Sequence, residues 1–166
     1  MGEPNEYVQE PWFSAGAVRF AAVHVGGMHA ILDTAVAHLR QYKRAADPHQ
    51  EHRIGLMATE VATGYAWLDH AANWWVKIEN AIGDHDSACV IATMNAARTG
   101  IERAALHVLE LAERSVGAAG MIAPHPLERL LRDLRTYLRQ PNPDAALAAV
   151  GAAVAAGLWS PAHTPR

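Results

Sequence analysis

The sequence predicts an all-α fold: an up-and-down antiparallel helical bundle completed by two shorter C-terminal helices. Three observations carry this. Apolar residues recur at three- and four-residue steps along most of the chain. No stretch alternates apolar and polar residues with the period of a strand. Glycine, proline and Asn/Asp punctuation cuts the helical pattern into five pieces, three of them roughly 25–30 residues long.

In the first piece, "FAAVHVGGMHAILDTAVAHLRQYK", Val25, Met28, Leu32, Val36 and Leu39 share one helix face. Ser14 or the Ala15-Gly16 pair is expected to open it, and it should end near Lys43, ahead of Asp47-Pro48. The second helix places Ile54, Met57, Val61, Leu68, Ala72 and Trp75 inward and ends at Gly83. Asp84 is the expected N-cap of the third, with Asp86 near its positive end. Val90, Met94, Ala97, Ile101, Ala104, Val108 and Leu111 form the inward face of that helix. It stops in "SVGAAGM" at Gly117 and Gly120.

Pro126 suits the first turn of a fourth helix, with Leu127, Leu130, Leu131, Leu134 and Leu138 inward. "QPNP" ends it. Asn142-Pro143 should cap a fifth whose core side is Leu147, Val150, Val154 and Leu158. Residues 1–10 read as a polar lead-in, 11–158 as a single bundle domain, and 159–166 as a flexible tail.

The 166 residues suffice for a core without metal or disulfide support. With 51% hydrophobic and 19% charged residues, the composition is globular rather than disordered. A net charge of −3 gives no reason to expect a nucleic-acid partner. The single Cys89 cannot form an intrachain disulfide, which fits a reducing compartment. The opening residues lack a basic and an apolar signal region, and Glu6 stands where a myristoylation motif wants Ser or Thr. The longest apolar run, Ala145 to Trp159, is shorter than the ~20 residues of a membrane span. The expectation is a soluble cytoplasmic protein without a membrane partner.

One segment raises a chemical question. "HPLERLLRDLRTYLRQP" sets Arg129, Arg132 and Arg135 by threes along a helix, with Arg139 one turn further. Glu128 precedes Arg132 by four residues, the favourable order for an ion pair. Spacing alone leaves two readings open. One is a solvated basic face; the other is a clamp in which Asp133 and an arginine orient the glycine-rich loop before them.

The remaining residues point to no independent chemistry. His24 and His29 do not share a helix face, and His49 and His52, at helical metal spacing, fall beside Pro48 in an expected turn. No inward Glu-x-x-His pair occurs, so no functional metal is expected. Trp67, Trp74 and Trp75, with Tyr65, read as packing residues. Trp74 and Trp75 point about 100° apart, which sends one of them out of the core toward a subunit contact. Neither Ser115 nor Cys89 has the surroundings of a nucleophile.

The stretch "ERSVGAAGMIAPHPLERLLRDLRTY" resembles the C-terminal helical domain of acyl-CoA dehydrogenases. That family has a Gln-x-x-Gly-Gly-x-Gly-Tyr turn followed by a Pro-x-x-Arg-x-x-Arg-Asp helix start. Pro126, Arg129, Arg132, Asp133, Gly117 and Gly120 match. Arg114 replaces the Gln, Ala118 the second Gly and Met121 the aromatic. "GAVRFAAVHVGGMHAILDTAVAHLRQYKR" is similar to the family's first helix of this domain, with Arg19 at its arginine and Gly26-Gly27 at its helix-crossing glycine. Arg44 stands where the family places an arginine on the cofactor pyrophosphate, without the Phe-Gly that follows it there.

The resemblance spans about residues 11 to 155. It implies a domain or subunit of an FAD-dependent oxidoreductase acting on CH–CH bonds of acyl-CoA thioesters. FAD would be held mainly by a partner chain or another domain, because nothing here reads as the family's β domain. Cofactor contacts are expected from Arg44, Arg114, Gly117, Ala118, Ala119 and Gly120, with Arg19, Arg132 and Asp133 as structural supports. No catalytic residue is expected. The family's base is a Glu in one of two places, and here those read Val18 and Arg139-Gln140-Pro141-Asn142. Some related flavoproteins use oxygen chemistry without it. The resemblance further implies a homo-oligomer or a flavin-bearing partner. The alternative is a non-catalytic helical assembly module derived from the family.

Overall fold

The structure, a computed structural model, describes residues 4–5, 8–78, 84–140 and 142–162. It is the expected all-α bundle of five helices: α1 (Trp12–Gln41), α2 (Pro48–Ile78), α3 (Asp84–Val116), α4 (Pro126–Tyr137) and α5 (Pro143–Ala155). No strand occurs among the described residues. Gly83 and Pro141 lie outside them, as do the side chains of the expected cap Asp84 and of Asp86.

Helix α1 starts before Ser14. The Glu10 carboxylate accepts from the Ser14 amide (3.1 Å) and hydroxyl (2.8 Å), so an acid upstream closes the first turn. By length and composition α1 is long and apolar enough to cross a membrane. Ala145 to Trp159 is therefore not the stretch that meets that test. Ala21, Val25, Met28, Ile31, Ala35 and Leu39 are fully buried on one side of α1, which gives its apolar composition a core role.

Packing divides the chain into two compact units, and the three long helices contribute to both. The first comprises Met1–Ala22, Ala66–Gly100 and Asn142–Arg166. Its core gathers Ala71, Trp74, Cys89, Val90, Met94 and Ala97 around Trp159. The Trp159 indole donates to the Thr93 hydroxyl at 3.0 Å, and Thr93 in turn donates to the Cys89 carbonyl.

Trp159 was expected to begin a flexible tail. Instead it is 8% exposed. Gly157, at φ 69°, ends α5 in the left-handed conformation, and the Leu158 amide returns to the Ala153 carbonyl at 2.9 Å. That reversal delivers Trp159 to the core. Residues 163–166 lie outside the described set.

The expected core side of α5 is corrected. Leu147, Val154 and Leu158 are exposed, while Val150 and Ala153 pack on the core. Every residue from Ala145 to Ala155 is apolar or glycine, so periodicity had no contrast to read. On α2, Ala71 and Trp74 are buried where Ala72 and Trp75 were expected. Trp75 is half-buried and meets Trp12 of the same chain edge-to-face, with centroids 5.0 Å apart.

The second unit comprises Val23–Tyr65 and Ile101–Pro141. Small residues set its helix approaches. A Cβ on Gly64 would meet Val25 at 2.9 Å, and one on Gly27 would meet Leu134 at 3.3 Å. Gly64 therefore fixes which face of α2 turns inward, and Gly27 lets α4 seat on α1. Leu127, Leu131, Leu134 and Leu138 of α4 are all buried; Leu130 is half-buried.

Trp159→Ala is expected to destabilise the protein by about 3–5 kcal/mol, the usual loss for a buried tryptophan. Leu147→Ala, on the exposed side of α5, should shift stability by no more than about 0.5 kcal/mol. Urea denaturation midpoints of the two variants check the contrast.

Candidate functional site

The end of α1 positions the first candidate residue. Lys43 takes φ 56°, a left-handed conformation usually given to glycine. The Arg44 amide then bonds the Leu39 carbonyl (2.8 Å) and the Lys43 amide bonds the Arg40 carbonyl (3.1 Å). This pair of bonds closes the helix and fixes the backbone of Arg44. Three residues on, Asp47 caps α2, its Oδ1 accepting from the amides of His49 (2.9 Å) and Gln50 (3.1 Å).

Gln50 follows inside the first turn of α2 and is 2% exposed. With its amide oriented to suit its neighbours, Oε1 accepts from Arg44 Nη2 at 3.0 Å and Arg53 Nη1 at 3.1 Å. Its nitrogen donates to Ser115 Oγ at 3.2 Å. Ser115 is 1% exposed and gives its own proton to the Leu111 carbonyl at 2.8 Å. Arg44, from the α1–α2 connection, is thereby tied to the last turn of α3.

Two residues after Ser115 the chain breaks. Gly117 has φ 76° and ψ −163°, a region open essentially only to glycine. Its amide donates to the Glu113 carbonyl (2.8 Å), and its carbonyl accepts from Gly120 (3.0 Å). A short 3-10 turn, Ala118–Met121, carries the chain away. Gly120 is needed for space: a Cβ there would lie 2.8 Å from Val116 and 2.9 Å from Leu127. Ala118 and Ala119 stand exposed at the tip.

Helix α4 is capped by an imidazole. His125 Nδ1 accepts from the Leu127 amide at 3.1 Å, with Pro126 at the first helical position. Neutral His125 therefore carries its proton on Nε2, which donates to His38 Nδ1 at 3.1 Å. Burial lowers the pKa of His38, and the nearby His125 and Arg44 lower it further. Arg135 of α4 pairs with the Glu113 carboxylate. The residue that supplies the carbonyl for Gly117 is thus also gripped by α4.

The structure brings together only part of the expected constellation. Arg44 is tied through Gln50 to Ser115, which lies two residues before the Gly117–Gly120 turn. Arg114 is exposed and pairs with Glu110 at 2.6 Å. Arg132 and Asp133 do not support the turn. Arg132 reaches Glu128 on its own helix at 3.0 Å, as the four-residue spacing predicts, and approaches Asp133 at 4.0 Å; both are largely solvated. The supporting arginine is Arg135, one turn along the basic face. Arg19 belongs to the first unit, exposed, with its guanidinium folded back over Gly16 at 3.2 Å from that residue's Cβ position.

Gln50, Arg53, His38 and His125 were not singled out by the sequence, and Arg135 was placed on the basic face without a role of its own. Asp47-Pro48 was a usable signal: a cap at Asp47 places Gln50 and Arg53 one turn apart on a helix face. It also puts His49 and His52, expected in a turn, on the first turns of α2, where both are exposed. Other histidines have protein partners: Tyr65 at 3.0 Å from His29, Glu60 at 2.8 Å from His107. No three metal-binding side chains converge among the described residues. Of the two places where the resemblance puts a base, Val18 packs against the first unit's core, and Arg139-Gln140-Pro141-Asn142 contains no carboxylate.

Two predictions follow from this geometry. Gly117→Ala should cost about 1–3 kcal/mol from backbone strain alone, since nothing lies within 4 Å of the added methyl; thermal melts check it. Because His38 titrates below its ordinary 6.5, the unfolded chain binds its proton first on acidification. The associated stability is fully present above about pH 6.5 and is lost as pH falls through the folded value. The melting temperature should drop between neutral and mildly acidic pH, and His38→Gln should flatten that slope.

Against known proteins, no match was found among the curated proteins or the solved structures. A family model does match: that of the acyl-CoA dehydrogenase C-terminal domain, over residues 6–138. The match takes in α1 to α4, the glycine turn and the arginine helix, and stops before α5. The chain belongs to the acyl-CoA dehydrogenase C-terminal domain family.

Proposed function

We propose that this chain is the cofactor-facing helical domain or subunit of an FAD-dependent oxidoreductase acting on CH–CH bonds of acyl-CoA thioesters. The observation that carries the reading is the tie from Arg44, through buried Gln50, to Ser115 in the last turn of α3, two residues before the glycine turn begins. Guanidinium groups suit phosphate oxygens bidentately, and an exposed turn offers backbone to a ligand that approaches closely. Those donors fit the phosphates of a dinucleotide.

When bound, FAD would supply the hydride acceptor. This chain's residues would bind and orient it: Arg44 at the phosphates, the Gly117–Gly120 turn and Arg114 beside it. The chain supplies no carboxylate at Val18 or in Arg139-Gln140-Pro141-Asn142, so a proton α to the thioester must be taken by a group from elsewhere. A partner chain or further domain would carry most of the flavin contacts. We further propose a cytoplasmic homo-oligomer, supported by the exposed apolar residues of α1 and α5, among them Phe13, Phe20 and Leu147.

The lack of a carboxylate at Val18 and across Arg139-Gln140-Pro141-Asn142 favours a second reading, a non-catalytic assembly module. Mixing the purified chain with FAD and a protein bearing the complementary helical and β domains separates the two. The enzyme reading expects a yellow complex that reduces a dye with acyl-CoA, with flavin retention lowered about tenfold or more by Arg44→Gln. A complex that forms but stays colourless supports the module.

A further inference from the structure

Gln50 does more than tie Arg44 down. A single carboxamide oxygen, 2% exposed as a residue, receives two guanidinium groups at 3.0 and 3.1 Å. Their terminal nitrogens are therefore at most about 6 Å apart, near enough to repel. No carboxylate among the described residues pairs with either arginine. Asp47 is close in sequence, yet its Oδ1 is committed to the cap of α2. His38 adds no third positive charge at neutral pH, since burial, and after it His125 and Arg44, hold that imidazole toward its neutral form.

Each guanidinium spends one N–H on Gln50 and keeps the rest of its fork. Arg44 is exposed and Arg53 half-buried, so both forks have a route to a solvent-borne ligand. Two like charges converging on a neutral oxygen, without a counter-ion, leave a gap that a multiply charged anion fills. A phosphate or pyrophosphate offers the paired, coplanar oxygens that such forks match.

We infer that Arg53, set by Gln50 beside Arg44, is the second arm of a two-guanidinium clamp for a pyrophosphoryl group. The inference rests on the proposed reading that a dinucleotide meets this unit, and names a residue of α2 that holds its phosphates. Gln50 is a positioning residue, acting through the two arginines.

The test uses the full chain and inorganic pyrophosphate, by calorimetry at low salt and by NMR titration of the His38 imidazole. Wild-type protein should bind pyrophosphate more tightly than orthophosphate, and neither chloride nor acetate should compete at matched ionic strength. Arg53→Gln should weaken binding about tenfold or more, as should Arg44→Gln. Bound pyrophosphate should raise the His38 titration midpoint by masking the Arg44 charge, and Arg53→Gln should diminish that rise at fixed pyrophosphate. Circular dichroism melts of Arg53→Gln and Arg53→Lys establish that the variants fold. Binding by Arg53→Gln at wild-type strength, with Arg44→Gln defective, overturns the clamp and leaves the flavin reading standing on Arg44. Absence of pyrophosphate binding by the wild type also overturns it, whereas the flavin reading is judged separately by the colour of the complex.

Discussion

A buried carboxamide with nothing on its oxygen would be costly, about 1–3 kcal/mol for a polar group left unsatisfied. Gln50 avoids that cost only if three separate stretches of chain arrive together: the close of α1 with Arg44, its own helix with Arg53, and the last turn of α3 with Ser115. This requirement orders the second unit. It explains why Lys43 tolerates a left-handed backbone, since that conformation aims Arg44 back toward α2. It also explains why Ser115 is buried with its proton directed to Leu111, leaving its oxygen free to accept. The glycine turn inherits its starting point from that serine.

A second layer of constraint comes from size rather than polarity. Gly27 holds no side chain where α4 meets α1, Gly64 does the same where α2 meets α1, and Gly120 between Val116 and Leu127. The approaches at Gly27 and Gly120 let Leu134 and Leu127 of α4 reach full contact, which anchors the helix that carries Arg135. Arg135 then grips Glu113, whose carbonyl receives the Gly117 amide. Polar and apolar constraints thus meet on the last turn of α3, at Glu113, Ser115 and Val116. The His125 cap joins them from the other end of the turn: it fixes the first residues of α4 and orients His38 by tautomer. Charge on either imidazole would disturb that orientation, so the cap is tied to the neutral state.

Much of the fold was legible because its elements carry contrast. On α3 all seven expected core residues are buried, since polar and apolar residues alternate there with helical period. On α5 the contrast vanishes, and the expected face turned outward. Trp159 was unreadable for a different reason: its burial depends on the Gly157 reversal, a tertiary choice that a short polar tail does not announce. The site was legible in part. Arg44 and the glycine turn stand out by resemblance, and Gly117 by its need for a positive φ. Arg132 and Asp133 misled because matching a motif says which residue types recur, while side-chain reach decides which one touches the turn. Gln50 left no periodic trace at all, as a single buried amide in an otherwise polar first turn.

Binding and proton transfer place different demands on a scaffold. Binding needs donors fixed in advance, which guanidiniums and a strained backbone supply at little further cost in order. Proton abstraction needs a carboxylate with a tuned environment. A carboxylate at Val18 would press against a core of Trp74, Val90 and Met94, where desolvation would hold it protonated. The stretch Arg139-Gln140-Pro141-Asn142 holds no carboxylate to be tuned. The donors of the second unit, by contrast, remain organised around Gln50 in a way that packing alone does not require.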